Sequence, residues 1–143
     1  MIYTPDTKKA IRLCFEPHKD QTDKSGLPYV FHLFHVAEQM TDEKTTVTAL
    51  LHDVIEDTDY TLVDLRQMGF EEDVLEALSL MTHDKNTPYL AYVQKIKDNP
   101  IARQVKLADL RHNSDLSRLD HVSESDIKRA EKYKKAIELL EAR

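Results

Sequence analysis

Glycine and cysteine are scarce in this 143-residue chain, which has two glycines, one cysteine and no tryptophan. One cysteine excludes an internal disulfide. Cys14 sits between Leu13 and Phe15, which predicts a small buried hydrophobe in a reducing cytosol. Two glycines and five prolines are too few for the many tight turns of an all-β fold, and they leave no glycine-rich loop to cradle phosphates. No apolar run approaches the length of a membrane span, and Met1 to Lys8 contains no apolar signal region, so a cytoplasmic protein without a membrane partner is expected. Positive charge is in deficit as well. A net charge of −6 argues against nucleic acid or an anionic bilayer as partner, and an anionic substrate requires a local cationic site.

Helical periodicity is what the chain has in quantity. Hydrophobic residues make up 41% and charged residues 32%, an ordinary globular mix, and the length suits one domain spanning 1–143. Val47, Leu50, Leu51 and Val54 recur at helical spacing, as do Ile101, Val105, Ala108 and His112, and then Ala130, Tyr133, Ile137 and Leu140. Ser123 to Asp126 reads as a helix cap, Thr61 to Asp64 as another start, and Gly69 as a stop. Pro28, Pro88 and Pro100 suit first helical turns. With no alternating strand pattern, the predicted fold class is all-α, a bundle of about eight helices.

Ionisable residues interrupt the apolar stripes at three places. In Leu51-His52-Asp53-Val54-Ile55-Glu56-Asp57, an imidazole and three carboxylates lie in an otherwise apolar stretch. Burying them together is costly unless something compensates, and a metal ion does so effectively. Helical spacing predicts that His52 and Glu56, four apart, share one face. His32 lies three residues after Tyr29 and four before Val36, so it faces inward, while His35 is nearer the stripe's edge. Asp109 and Asn113 share a face, with Lys106 a turn earlier. Two imidazoles and two carboxylates form a mixed nitrogen and oxygen set, suited to Mn, Fe or Zn rather than Ca or Mg.

Each element alone has a plainer explanation. A histidine on an apolar face is more often a hydrogen-bonded core residue, an acidic cluster is more often a solvated face, and Asp109 could pair with Lys106 or Arg111. The conjunction favours a metal site. Among the other histidines, His83 reads as an exposed loop residue, and His112 and His121 default to structural or surface roles. His18 has no assigned role.

The order His32, His52-Asp53, Asp109 resembles the HD-domain metal phosphohydrolases. Three segments narrow this to the hydrolase domain of the RelA/SpoT alarmone enzymes and the stand-alone small alarmone hydrolases. They are His18-x-x-Gln21 with Lys24-Ser25-Gly26-x-Pro28-Tyr29-x-x-His32, Leu51 to Thr58, and Val105-Lys106-Leu107-Ala108-Asp109-x-x-His112-Asn113. The resemblance implies one HD-type domain in which His32, His52, Asp53 and Asp109 hold one Mn²⁺, with Fe²⁺ or Zn²⁺ as alternatives. It implies that Glu56 and Asp57 handle the attacking water, and that Lys24, Ser25 and Asn113 contact a small-molecule nucleotide. The implied reaction removes the 3′-pyrophosphate of guanosine tetra- or pentaphosphate, giving GDP or GTP.

The chain departs from that family in two cations. Asp23 stands where the family carries an arginine that packs on guanine, and Asp115 replaces a second arginine. An arginine restored at Asp23 is therefore expected to tighten nucleotide binding. Arg103, Arg111, Arg118, Lys128 and Arg129 are the candidates for replacement charge. Leu33, in place of a proline, bears only on the local helix start. Two other functions keep the same fold: a phosphohydrolase of another nucleotide, and a nucleotide-binding regulatory module without turnover, against which the intact Glu56 and Asp57 weigh.

Overall fold

Side-chain caps set the helix starts in this computed structural model, which describes residues 1–142. Thr4 and Thr7 form a reciprocal capping box ahead of α1 (Pro5–His18), with proline in the first turn, where its missing N–H costs nothing. Asp42 accepts from the Thr45 amide at the start of α3 (Glu43–Leu51), and Asn99 caps α8 (Pro100–Asn113) in the same way. Thr61 starts α5 (Leu62–Gln67) and Ser123 starts α9 (Glu124–Glu141), as their spacing predicts. Gly69 follows α5 with φ +92°, the left-handed conformation that glycine adopts at a helix end without strain. The remaining helices are α2 (Val30–Glu38), the single turn α4 (Val54–Asp57), α6 (Glu72–Met81) and α7 (Tyr89–Lys97), with a short 3₁₀ turn at Leu116–Arg118.

Among the described residues, eight helices have six residues or more, and the only ladder-type pairing is an isolated antiparallel bridge between Thr22 and Pro28. Pro28 belongs to that bridge, and the helix begins two residues later at Val30, because the bridge holds its backbone extended. Among the described residues no helix is long and apolar enough to cross a membrane.

The centre of the bundle is α3, which packs against α1, α2, α6 and α8. Every residue from Thr45 to Leu51 is buried. The three threonines can be buried because each hydroxyl finds an acceptor: Thr45 and Thr46 on the Asp42 carbonyl, and Thr48 on that of Lys44. Leu33, Leu50, Leu51, Val54, Leu78, Ile96 and Leu110 fill the surrounding core. Cys14 is buried as expected, and desolvation pushes its thiol up to about 12, so it behaves as an inert hydrophobe.

One predicted feature is corrected here. The stretch from Val47 to Asp57 is two helices with a corner at His52-Asp53, where Asp53 has φ −102° and ψ −4°. The His52 ring takes the carbonyl of Ala49, at 2.6 Å, which the Asp53 amide would hold in a continuous helix. His52 and Glu56 therefore do not share a helix face. The corner instead turns His52 and Asp53 towards α2 and α8.

Candidate metal centre

Three parts of the bundle deliver the ligand-type side chains to one point. His32 comes from α2, His52 and Asp53 from the corner after α3, and Asp109 from α8. The ligand-type atoms of His32, His52 and Asp109 all lie within 4.8 Å of one another, and all three residues are buried. The rings of His32 and His52 have centroids 5.9 Å apart. Asp53 stands at the edge of this group, with Oδ2 3.3 Å from His52 Nε2.

Each of these groups is held from behind. His52 donates Nδ1–H to Ala49, which aims Nε2 at the two carboxylates. That Nε2 is buried and has no hydrogen-bond partner, although Asp53 and Asp109 oxygens stand 3.3 and 3.4 Å away. A buried polar atom left unpaired costs roughly 1–3 kcal/mol, a cost that a bound cation removes. Tyr29 donates its hydroxyl to Asp53 Oδ2 at 2.5 Å. Asp109 pairs through Oδ1 with His32 Nε2 at 2.9 Å and accepts from Asn113 at 3.1 Å, while its Oδ2 accepts from Lys106 Nζ at 3.0 Å.

Electrostatics at the cluster favour a cation. Burial opposes charge on His52, yet the Asp53 and Asp109 carboxylates raise its pKa to about 9. Burial also opposes charge on Asp109, but the Lys106 ammonium and the two imidazoles hold it well below the usual carboxylate range. With both imidazoles neutral, as metal ligands must be, two carboxylates and one ammonium leave one negative charge. A divalent ion fits this donor set and supplies the missing partner of His52 Nε2.

His112 and Tyr29 serve this site although the sequence assigned them no such role. His112 Nδ1 lies 2.7 Å from His32 Nδ1, and the two rings stack at 5.0 Å. His35 stacks on His112 at 4.0 Å. Burial, then Arg118 and the adjacent histidines, depress His112 to about 4. Neutral His112 can accept from His32 Nδ1–H, an arrangement that would free His32 Nε2 to hold an ion. The signal was present in the spacing, since His112 follows Asp109 by three residues on the same face.

The two remaining acids diverge from α4. Asp57 Oδ2 lies 3.0 Å from Nε2 of His18, which is fully buried. Glu56 Oε1 accepts the backbone N–H of His83 at 2.8 Å, at the end of α6. His83 is half-buried rather than exposed, because its Nε2 meets the Thr87 carbonyl at 2.8 Å and its ring stacks on Tyr92 at 4.4 Å.

A cavity of about 380 Å³ opens beside Tyr29, lined by Lys24, Ser25, Asn113, Arg118 and Arg129. Asp23 folds its loop, accepting from the amides of Ser25 and Leu27 at 2.9 and 3.1 Å, and it pairs with Arg118 at 3.0 Å. Arg118 also donates to the His112 carbonyl at 2.8 Å. Asp115 accepts from the Ser117 amide at 3.1 Å and caps the 3₁₀ turn. Of the five candidate cations, Arg118 and Arg129 line the cavity. Arg103 bonds the Leu140 carbonyl, Arg111 pairs with Glu141, and Lys128 lines a separate groove beside Tyr89 and Leu90.

An all-helical bundle that brings His, His-Asp and Asp, in that order, to one buried point has the architecture of the HD-type metal phosphohydrolases. No family model matches the chain. It is 33% identical over 124 residues to the Danio rerio guanosine-3′,5′-bis(diphosphate) 3′-pyrophosphohydrolase MESH1, covering 77% of this chain and 68% of that protein. It is 36% identical over 115 residues to the Homo sapiens MESH1, covering 71% and 64%. The chain belongs to the MESH1 family. It also matches Escherichia coli SpoT, a bifunctional (p)ppGpp synthase/hydrolase, at 34% identity over 74% of the chain. It spans only 17–20% of the length of that relative and of those from Aquifex aeolicus and Myxococcus xanthus. The solved structure of a metazoan ortholog of SpoT has the same fold, with a TM-score of 0.79 over 99% of this chain and 89% of that one, at 24% identity.

Proposed function

We propose that the protein is a Mn²⁺-dependent hydrolase that removes the 3′-pyrophosphate of guanosine tetra- or pentaphosphate, releasing GDP or GTP and pyrophosphate. The observation that carries this is the buried, unpartnered Nε2 of His52, set between two carboxylates and beside His32, in a cluster whose Asp53 and Asp109 are bonded by Tyr29 and Asn113 of the cavity wall. The names of the relatives point the same way. His32, His52, Asp53 and Asp109 would hold the ion, with Fe²⁺ or Zn²⁺ as alternatives to Mn²⁺. Such an ion lowers the pKa of a water from about 15.7 towards about 7 and offsets charge that develops on phosphoryl oxygens.

The chain's own residues supply the rest. Tyr29 and Lys106 orient the two aspartates. Glu56 and Asp57 provide proton acceptors within one turn of Asp53, where general acid–base help is worth roughly 10²–10⁴ in rate. Lys24, Ser25 and Asn113 line the cavity for the nucleoside, and Arg118 and Arg129 line it too, each paired with an aspartate, Asp23 and Asp126.

A second substrate is retained because Asp23 pairs with Arg118 Nη2, which reduces the net positive charge offered to a polyphosphate. The test is a panel of ppGpp, other 3′-phosphorylated nucleotides and nucleoside monophosphates with the Mn²⁺-loaded protein. Pyrophosphate release from ppGpp is expected. Intact ppGpp with phosphate released from another nucleotide would move the assignment to that substrate. No hydrolysis anywhere on the panel would point to a binding module.

A further inference from the structure

Three cations line the cavity beside the metal centre, Lys24, Arg118 and Arg129, and both arginines are already paired. Arg118 donates from Nη2 to Asp23 Oδ2 at 3.0 Å, and Arg129 donates from Nη2 to Asp126 Oδ1 at 2.5 Å. The two pairs are built alike. Asp23 turns its other oxygen to the amides of Ser25 and Leu27, at 2.9 and 3.1 Å, and to the Ser25 hydroxyl. Asp126 turns its other oxygen to the amide and hydroxyl of Ser123, at 2.9 Å each, and so completes the cap of α9. Each aspartate is thus anchored to nearby backbone. An arginine can leave only by abandoning a carboxylate whose side chain is 9% (Asp23) or 16% (Asp126) exposed, and stripping a partly buried charge of its partner is costly. Arg118 is tied a second time, through Nη1 to the His112 carbonyl at 2.8 Å.

These carboxylates stay ionised. Burial opposes charge on Asp23, but the Ser25 hydroxyl, the two loop amides and the Arg118 guanidinium outweigh it and hold its carboxyl below the usual range. The Ser123 amide, then Arg129, bring Asp126 down to about 2. Asp115, a third carboxylate on the wall, is lowered by the hydroxyl and amide of Ser117. Three cations therefore stand against three carboxylates, and the cavity is electrically balanced. The rest of its lining suits an uncharged group: Tyr133 and Leu119 offer apolar surface, and Gln21 and Thr22 offer amide and hydroxyl groups.

We propose that the Asp23–Arg118 and Asp126–Arg129 pairs set substrate specificity: the cavity receives the least charged end of the nucleotide, and the preferred substrate is a nucleoside 3′-pyrophosphate whose 5′ end bears a hydroxyl or a single phosphate. This deepens the hydrolase reading and rests on it. The 3′ group lies towards the metal centre, where a divalent ion answers its charge. Each further phosphoryl at the 5′ end meets a cavity with no net positive charge, and its repulsion from the three carboxylates is not offset by arginines that are already engaged. A unit charge left without a counter-charge at a few ångströms, under protein-surface screening, shifts binding by about tenfold.

The test is a series of guanosine 3′-pyrophosphates carrying a 5′-hydroxyl or one, two or three 5′-phosphates, given to the Mn²⁺-loaded full chain. Their kcat/KM should fall along the series, by about tenfold or more from first to last. Asp23→Asn keeps an oxygen for the amides of Ser25 and Leu27 but removes the charge that holds Arg118. In that variant the ratio of first to last should shrink by about tenfold. Raising the salt from about 0.05 to about 0.5 M should shrink the ratio in the unmodified protein as well, because the repulsion is screened. A preference for the 5′-triphosphate compound, or a ratio that Asp23→Asn leaves unchanged, overturns the proposal. If Asp23→Asn does not fold, the order of the four compounds and its salt dependence decide. Equilibrium titration of the metal-free chain separates this proposal from the hydrolase reading, since guanosine 5′-monophosphate should bind about tenfold more tightly than guanosine 5′-triphosphate. If none of the four compounds is hydrolysed, the hydrolase reading fails. The titration then decides the charge rule alone, and tighter binding of the triphosphate overturns it.

Discussion

Replacing Lys106 by methionine should separate the metal-free and metal-bound states of this site more cleanly than removing a ligand. Lys106 Nζ lies 3.0 Å from Asp109 Oδ2, with the lysine side chain 13% exposed and the aspartate 7%. Without an ion, the ammonium is the nearest full positive charge to a buried carboxylate. Taking away one partner of a buried pair costs about 3–5 kcal/mol, because the other charge stays desolvated and unpaired. With a divalent ion at Oδ1, Asp109 keeps a cation whatever happens at Oδ2. The loss then falls to that of a charged hydrogen bond, about 1.5–3 kcal/mol. The difference is about 2 kcal/mol, so the rise in Tm on adding Mn²⁺ should be larger in Lys106→Met than in the unmodified protein by roughly 4–8 °C. Thermal melts with and without excess Mn²⁺ measure this. If the substitution lowers Tm equally in both conditions, Asp109 does not share its charge between Lys106 and an ion, and the reasoning about the site fails.

Four other outcomes follow from the same geometry. Tyr29→Phe removes the hydroxyl that holds Asp53 Oδ2, so metal affinity should drop about 10–100-fold with the fold retained, as read by metal titration. His52 has a pKa raised from 6.5 to about 9, so its stabilising charge in the metal-free protein is fully present below 6.5 and lost as pH rises through 9. A metal must displace that proton, so Mn²⁺ affinity should climb with pH up to about 9 and then level off, and an affinity independent of pH over this range would contradict the assignment. Glu56→Gln should retain the metal and lose kcat by about 10²-fold or more in a pyrophosphate-release assay. Asp23→Arg, expected from sequence to tighten nucleotide binding, should instead weaken it by about tenfold in equilibrium binding, since it breaks the Arg118 pair and releases the loop amides of Ser25 and Leu27.

Much of the bundle was legible because helix periodicity and caps are local signals. Thr61, Ser123, Pro100 and Gly69 all mark boundaries where the chain begins or ends helices. The inward placement of His32 followed from its neighbours Tyr29 and Val36, and Asp109 from the stripe of α8. The corner at His52-Asp53 was not legible, because it depends on an imidazole competing for a carbonyl three residues back, and periodicity carries no sign of that competition. Tyr29, His18 and His112 escaped for a different reason. Their partners lie 24, 39 and 80 residues away in sequence, so only the tertiary packing of α1, α2 and α8 brings the donors to their acceptors. The pairing of Asp23 with Arg118, 95 residues apart, likewise left no sign in the sequence.

Metal content tests the central claim most directly. The full chain, purified and dialysed against trace Mn²⁺, should retain one ion per molecule by elemental analysis, and His52→Ala under the same conditions should retain none. An unmodified protein that binds no Mn²⁺, Fe²⁺ or Zn²⁺, and whose melting point none of them raises, would leave the buried histidines and aspartates as hydrogen-bonded core and contradict the account.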